Sequence, residues 1–230
     1  MIALGIGLEE YPYPYPVQFL QLSNDLQSVA MAYMDIPPTT EPNAQTVVLF
    51  HGKAFGCYYF RNVIEALTGA GYRVIAPDQI GWGKSAKPDV HYSFQMLAAN
   101  TAALLDHLGV GRVVVLGHST GGMTATRFTL MNPDRVTHLV LEDPLGLVDY
   151  RTGIPPQSEE TRSARITIAG PARRWPAEDA RLGDFVALSE SAAKDMPRAT
   201  RVVIPDCGHI PHLEQPSQFL AQLLPFLRSA

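Results

Sequence analysis

The sequence predicts an α/β fold in which a mostly parallel central sheet is flanked by helices on both faces. Short apolar runs rich in Val, Ile and Leu alternate with segments of helical spacing, and this alternation is typical of parallel strands that are buried on both sides. The predicted strands are residues 47–50, 73–76, 112–116, 136–141, 166–169 and 201–204. The predicted helices are residues 58–68, 93–108, 123–131, 185–194 and 217–227.

Two stretches near the N-terminus predict an antiparallel edge to this sheet. Residues 17–22 and 28–34 are separated by Asn24 and Asp25, which are residue types that favour turns. We expect the two stretches to form a hairpin. The chain has 230 residues and no internal repeat, and we expect a single domain over residues 1–230.

The composition narrows the classes of function. Hydrophobic residues make up 46% of the chain and charged residues 17%, as in ordinary globular proteins, and the net charge is −4. Lys and Arg form no block, so no nucleic-acid partner is expected. Cys57 and Cys207 are too few and too far apart to form a disulfide framework or a metal or redox motif.

The sequence also bears on location. No apolar run approaches the roughly 20 residues that cross a bilayer, so no membrane span is expected. The first ten residues lack the basic segment and the long apolar stretch of a signal peptide. We therefore expect a cytoplasmic protein. Secretion, with a signal peptide that has been removed, is the alternative.

Residues 117–121 predict a nucleophile. They read Gly-His-Ser-Thr-Gly, follow a strand-like segment and open a helix-like one, which is the setting of a nucleophile elbow. A sharp strand-to-helix turn would lift the hydroxyl of Ser119 to a helix N-terminus, where the helix dipole favours developing negative charge. The alternative interpretation is a glycine-rich turn with an N-capping serine.

Together with this motif, four other segments resemble the α/β-hydrolase superfamily. They are VVLFHGKAFG at 47–56, APDQIGWGKS at 76–85, LVLEDPLGL at 139–147 and VVIPDCGHIPHLEQP at 202–216, in the order and spacing of that family. The resemblance implies the hydrolase fold, a Ser-His-acid site and esterase-like chemistry without a cofactor.

The resemblance also implies roles for individual residues. His209 occupies the catalytic-histidine position of the G-H-x-P-x-x-E-x-P pattern, as general base and then general acid for Ser119. The backbone N–H groups of Thr120 and Lys53 match the two donors of the oxyanion hole. His212 forms H-x-x-H with His209, but further ligands are lacking, so no metal is predicted.

The position of the triad acid departs from the family pattern. Most members carry it after strand 7, where this chain has Arg173. Some relatives place it after strand 6, and Asp143 aligns there with Glu142 beside it. Because side chains alternate along a strand, only one of these two can face the site, and we select Asp143. The weaker candidates are Glu178, Asp179 and Asp206.

The helical cap of the family is the second departure. Only residues 144–165 separate the predicted strands 6 and 7, and this polar, Pro-rich segment predicts a short loop in place of the cap. We therefore expect an exposed active site with broad acyl selectivity. A second subunit could cover the uncapped cleft, which would make the protein a homo-oligomer.

The predicted function is hydrolysis of a small-molecule carboxylic ester through an acyl-enzyme on Ser119. Perhydrolase activity and C–C bond hydrolysis are enzymatic alternatives, because similar triads perform them. Dehalogenation and epoxide opening are disfavoured, because relatives with those activities need Asp where this chain has Ser119. A further alternative is a binding module that has lost catalysis, and Arg173 is the feature in its favour.

Overall fold

The computed structural model describes residues 5–25, 27–53, 55–147, 185–196 and 198–228. In this part of the chain one six-stranded sheet has the strand order β1-β2-β4-β3-β5-β6. The strands are β1 (Gln18–Asn24), β2 (Gln27–Ile36), β3 (Thr46–Phe50), β4 (Arg73–Pro77), β5 (Val113–His118) and β6 (Val136–Glu142). The helices are α1 (Arg61–Gly69), α2 (Phe94–His107), α3 (Thr120–Met131), α4 (Phe185–Asp195), α5 (Pro211–Glu214) and α6 (Pro216–Arg228), with 3₁₀ turns at Cys57–Phe60 and Pro133–Arg135.

The predicted α/β fold and its antiparallel N-terminal edge are confirmed. β1 and β2 form a hairpin whose turn includes Asp25 with a φ of 47°, a conformation that Asp adopts more readily than most residues. β2 pairs antiparallel with β4, whereas β4, β3, β5 and β6 pair in parallel. The hairpin thus adds two antiparallel strands to one edge of a parallel sheet.

Apolar side chains on both faces of the central strands explain why the strands are continuously apolar. In β3, Val47 and Leu49 pack with α1 and α6, whereas Val48 and Phe50 pack with α2 and α3 on the opposite face. Each successive side chain of the strand therefore enters a different half of the core. This two-sided burial requires helices on both faces, as predicted.

Part of the predicted C-terminal half differs from the structure or lies outside it. Residues 201–204 form no strand in the described part of the chain. The strand predicted at 166–169 and the loop predicted at 144–165, from residue 148 onward, lie outside the described residues. The single domain over residues 1–230 stays a prediction.

The parallel strands bring three chain segments to one edge of the sheet. β3, β5 and β6 all run in the same direction, so the residues that follow them meet at their carboxyl ends. These residues are the β3 loop (residues 51–53), Ser119 after β5 and Asp143 after β6. A fourth segment, the histidine loop (residues 207–210), precedes α5 and reaches the same edge.

Candidate active site

Ser119 occupies a strained turn between β5 and α3. Its φ of 56° and ψ of −121° are rarely adopted by a residue with a side chain, and such strain is typical of functional sites. Three backbone hydrogen bonds hold the turn. The N–H of Ser119 donates to the carbonyl of Glu142 (3.0 Å), and its carbonyl accepts from Gly122 (2.9 Å) and Leu145 (3.1 Å). Neighbouring segments therefore impose the turn.

Glycines make this turn sterically feasible. A Cβ on Gly121 would overlap the carbonyl oxygen of Phe50, and a Cβ on Gly117 would lie 2.7 Å from the Cβ of Ala125. α3 can therefore approach β3 and β5 only if both positions lack a side chain. The spacing of glycines around Ser119 follows from this close approach.

The side chain of Ser119 contacts His209 instead of capping its helix. Ser119 Oγ makes no cap hydrogen bond to α3 and lies 2.9 Å from His209 Nε2. The interpretation as an N-capping serine is therefore wrong. Burial lowers the pKa of His209 below its ordinary value, so the imidazole is neutral at pH 7 and can accept the proton of the hydroxyl.

The histidine loop is held on both sides of His209 by one carboxylate, that of Glu214. Glu214 Oε2 accepts from the N–H of Gly208 (2.9 Å) and Oε1 accepts from the N–H of Ile210 (3.1 Å). Hydrogen bonds to a carboxylate are stronger than those between neutral groups. No role was predicted for Glu214, although it is the Glu of the G-H-x-P-x-x-E-x-P pattern.

Asp143 lies on the other side of the His209 ring from Ser119. Its Oδ2 is 3.8 Å from His209 Nδ1, which is an ion-pair distance but longer than a hydrogen bond. Burial, followed by the charges of Glu142 and Glu214, raises the pKa of Asp143 to about 7. The carboxylate therefore changes its charge close to neutral pH.

Glu142 points away from this pair, as the alternation of side chains along β6 requires. Its buried carboxylate accepts from the ring Nδ1 of His212 (2.8 and 2.9 Å) and from the backbone N–H of the same residue (2.8 Å). Burial alone would raise the pKa of Glu142, but the charge and hydrogen bonds of His212 outweigh burial, so the pKa is lowered. From the sequence, Glu142 was an alternative for the triad acid, and its pairing with His212 was not predicted.

The two residues whose N–H groups match the oxyanion donors lie beside Ser119. Thr120 is the first residue of α3, where the N–H has no acceptor within the helix. The β3 loop packs closely against the turn: a Cβ built on Gly52 would lie 3.4 Å from the Cβ of Ser119. Among the described residues, neither the Thr120 nor the Lys53 N–H has a hydrogen-bond acceptor.

Among the described residues, the structure assigns no role in the site to Asp206. The carbonyl of Asp206 accepts from Gln215, and Arg173, Glu178 and Asp179 lie outside the described residues. No cluster of His, Cys, Asp and Glu suited to a metal occurs among the described residues. No helix in the described ranges has the length and apolar character needed to span a bilayer.

Known proteins resemble the chain in sequence. Residues 45–184 match the family model of the alpha/beta hydrolase fold. Epoxide hydrolase B of Mycobacterium tuberculosis is 35% identical over 150 residues, which are 63% of this chain and 41% of that protein. A 2-hydroxy-6-oxononadienedioate/2-hydroxy-6-oxononatrienedioate hydrolase of Paraburkholderia xenovorans is 44% identical over 102 residues, which are 43% of this chain and 35% of that protein. The chain thus spans well under half the length of these curated relatives.

A solved structure resembles the chain over almost its full length. It is a probable hydrolytic enzyme from Pseudomonas aeruginosa PAO1, with a TM-score of 0.85 and 34% identity. The similarity covers 97% of this chain and 98% of that one.

Proposed function

The chain belongs to the α/β-hydrolase fold family, and we propose that it hydrolyses carboxylic esters through an acyl-enzyme on Ser119. The observation that carries the proposal is the 2.9 Å contact between Ser119 Oγ and His209 Nε2, made by a serine on a strained turn. A neutral imidazole at this distance can take the hydroxyl proton as the oxygen attacks an acyl carbon.

The reaction follows the logic of a serine-histidine-acid site. His209 removes the proton of Ser119 as Oγ bonds to the acyl carbon, and the carbonyl oxygen becomes an oxyanion. The N–H groups of Thr120 and Lys53 stabilise that charge, and loss of one such donor typically costs about 3 kcal/mol. His209 then protonates the leaving alkoxide, and water repeats the two steps on the acyl-enzyme.

Asp143 is the residue that we propose to stabilise the imidazolium form of His209. The two side chains are 3.8 Å apart, and catalytic hydrogen bonds often tighten when the reaction complex forms. Glu142 is unsuited to this role, because its carboxylate is occupied by His212.

The identity of the nucleophile argues against epoxide and haloalkane substrates. Attack by a serine on an alkyl carbon would leave an ether, which has no carbonyl for water to attack, so the enzyme would stop after one turnover. An acyl carbon gives an ester of Ser119, which water can cleave. Hydrolysis of a carbon–carbon bond beside a carbonyl meets the same requirement, and the resemblance to the Paraburkholderia xenovorans hydrolase favours it as the second candidate.

The first experiment measures release of p-nitrophenol from the acetate and butyrate esters. We expect turnover by the wild-type protein, loss of at least 1,000-fold in kcat for Ser119→Ala, and no loss for Ser28→Ala, which changes an exposed serine of the β1–β2 hairpin. A fluorophosphonate probe should label the wild-type protein and not Ser119→Ala. Folded wild-type protein that neither turns over nor becomes labelled would favour the binding module instead.

A further inference from the structure

A chain of three hydrogen bonds runs beneath the candidate active site and joins the β3 loop to the histidine loop. The N–H of Gly52 donates to the hydroxyl oxygen of Tyr59 (2.9 Å), and that hydroxyl lies 2.8 Å from Nδ1 of His118. The other ring nitrogen of His118, Nε2, lies 2.7 Å from the backbone carbonyl oxygen of His209. Gly52 and Tyr59 lie close together in the sequence, whereas His118 and His209 come from distant parts of it.

The direction of each hydrogen bond follows from the groups involved. A carbonyl only accepts, so Nε2 of His118 carries the ring proton. Burial lowers the pKa of His118 to about 4, so the ring carries a single proton at pH 7 and its Nδ1 is an acceptor. The Tyr59 hydroxyl must then donate to Nδ1, and its oxygen is left to accept from the Gly52 N–H. One proton arrangement therefore satisfies all four groups.

The surroundings make these bonds costly to break. His118 is fully buried, and the ring of Tyr59 stacks on Phe55 with ring centroids 4.7 Å apart and an angle of 6° between the planes. A polar group that loses its partner in such a buried setting keeps the full cost of its removal from water. The four groups therefore have one strongly preferred geometry.

We propose that Tyr59 and His118 are positioning residues that fix the oxyanion donor, the nucleophile and the base relative to one another; this inference rests on the proposed function. Gly52 directly precedes Lys53, and His118 directly precedes Ser119. The third partner is the carbonyl of His209 itself. Neither Tyr59 nor His118 reaches the reacting atoms in the proposed mechanism, so each acts through the loops that it ties together.

Tyr59→Phe tests the inference, because it removes one oxygen from the middle of the hydrogen-bond chain. We expect kcat for p-nitrophenyl butyrate to fall by about 10- to 100-fold with KM changed less than threefold, since a misplacement of about 1 Å can cost 100-fold. The matched control is Tyr33→Phe, which removes the hydroxyl of another buried tyrosine whose partner, Gln18, lies on β1. Equal kcat values for the two variants would overturn the inference.

A second pair of variants guards against a loss of folding. His118→Gln keeps an N–H donor for the carbonyl of His209, whereas His118→Leu removes it. We expect Ser119 to react with a fluorophosphonate faster in His118→Gln than in His118→Leu, with both compared at temperatures where circular dichroism shows them folded. Equal labelling rates in these two variants would also overturn the positioning role.

The wild-type protein offers a test that needs no variant to be active. Nitrogen-15 NMR of the histidine rings should show His118 neutral, with the proton on Nε2 and Nδ1 as an acceptor, its signal being assigned from the spectrum of His118→Gln. A proton on Nδ1 would overturn the hydrogen-bond chain. If ester turnover is absent while labelling of Ser119 depends on Tyr59, the proposed substrate class fails and the positioning role stands.

Discussion

Replacement of Asp143 by Asn keeps the shape of the side chain and removes the charge that faces His209. In the proposed reaction His209 becomes an imidazolium 3.8 Å from Asp143 Oδ2. Two unit charges at this distance attract by about 4 kcal/mol at an effective dielectric constant of about 20, and by about 1 kcal/mol in water. The side chain of Asp143 is 31% exposed, so its environment lies between these two limits.

The expected loss in rate follows from these limits. Each 1.36 kcal/mol corresponds to about a tenfold change in rate, so Asp143→Asn should lower kcat for p-nitrophenyl butyrate by about 10- to 100-fold at pH 8. KM should change little, because the charge acts on the transition state. The matched control is Asp134→Asn, which changes an exposed carboxylate at the opposite end of β6.

The pH dependence provides a sharper test of the same residue. Burial, with the charges of Glu142 and Glu214, raises the pKa of Asp143 to about 7. Below this pH Asp143 is protonated and cannot stabilise the imidazolium, so kcat/KM of the wild-type protein should rise as the pH increases through about 7. The pKa of His209 lies below its ordinary value, so His209 loses its proton at a lower pH than Asp143 does. The rise near pH 7 therefore reports on Asp143. Asp143→Asn should lack the rise near pH 7.

One result would refute this reasoning. If Asp143→Asn and Asp134→Asn have the same kcat within twofold and the rise near pH 7 is present in both, Asp143 does not supply the charge that stabilises His209.

Two further substitutions probe the supports of the site. Glu214→Gln leaves one oxygen for the two backbone N–H groups beside His209, so we expect kcat to fall by about tenfold. The control is Glu190→Gln, which changes an exposed residue of α4. Equal kcat values for the two variants would show that Glu214 does not support the histidine loop. Glu142→Gln removes the charge from a buried pair with His212, and we expect urea unfolding at pH 7 to show a loss of about 3 kcal/mol. Folding lowers the pKa of Glu142, so this loss of stability should shrink as the pH falls below the ordinary glutamate range. A loss that is independent of pH would contradict the pairing of a charged Glu142 with His212.

Local sequence patterns predicted most of the fold correctly, because they report on nearest neighbours along the chain. Continuous apolar runs indicate strands buried on both faces, and β3 meets this requirement with alternate side chains in two halves of the core. Asn24 and Asp25 marked the hairpin turn. Residues 201–204 have a similarly apolar run and form no strand in the described structure, so an apolar run does not by itself produce a paired strand.

For the candidate site too, local patterns predicted some features and left others undecided. The motif around Ser119 and the loop of His209 were both identified from sequence, and the two side chains lie 2.9 Å apart. The selection of Asp143 over Glu142 rested on the alignment with relatives that place the acid after strand 6. The alternation of side chains requires that they point to opposite sides, but says nothing about which side each one takes.

The sequence by itself determined the order of strands β1–β6 and of helices α1–α3 between them, the tight turn at Ser119 and the presence of an imidazole close to the C-terminus. Only the tertiary structure decided which polar groups become partners. His212 pairs with Glu142, which lies 70 positions away. Tyr59 and His118 connect loops that are far apart in the chain. The physical reason is that strand and turn propensities act over a few residues. Hydrogen bonds and ion pairs depend on distances in space, which folding alone sets.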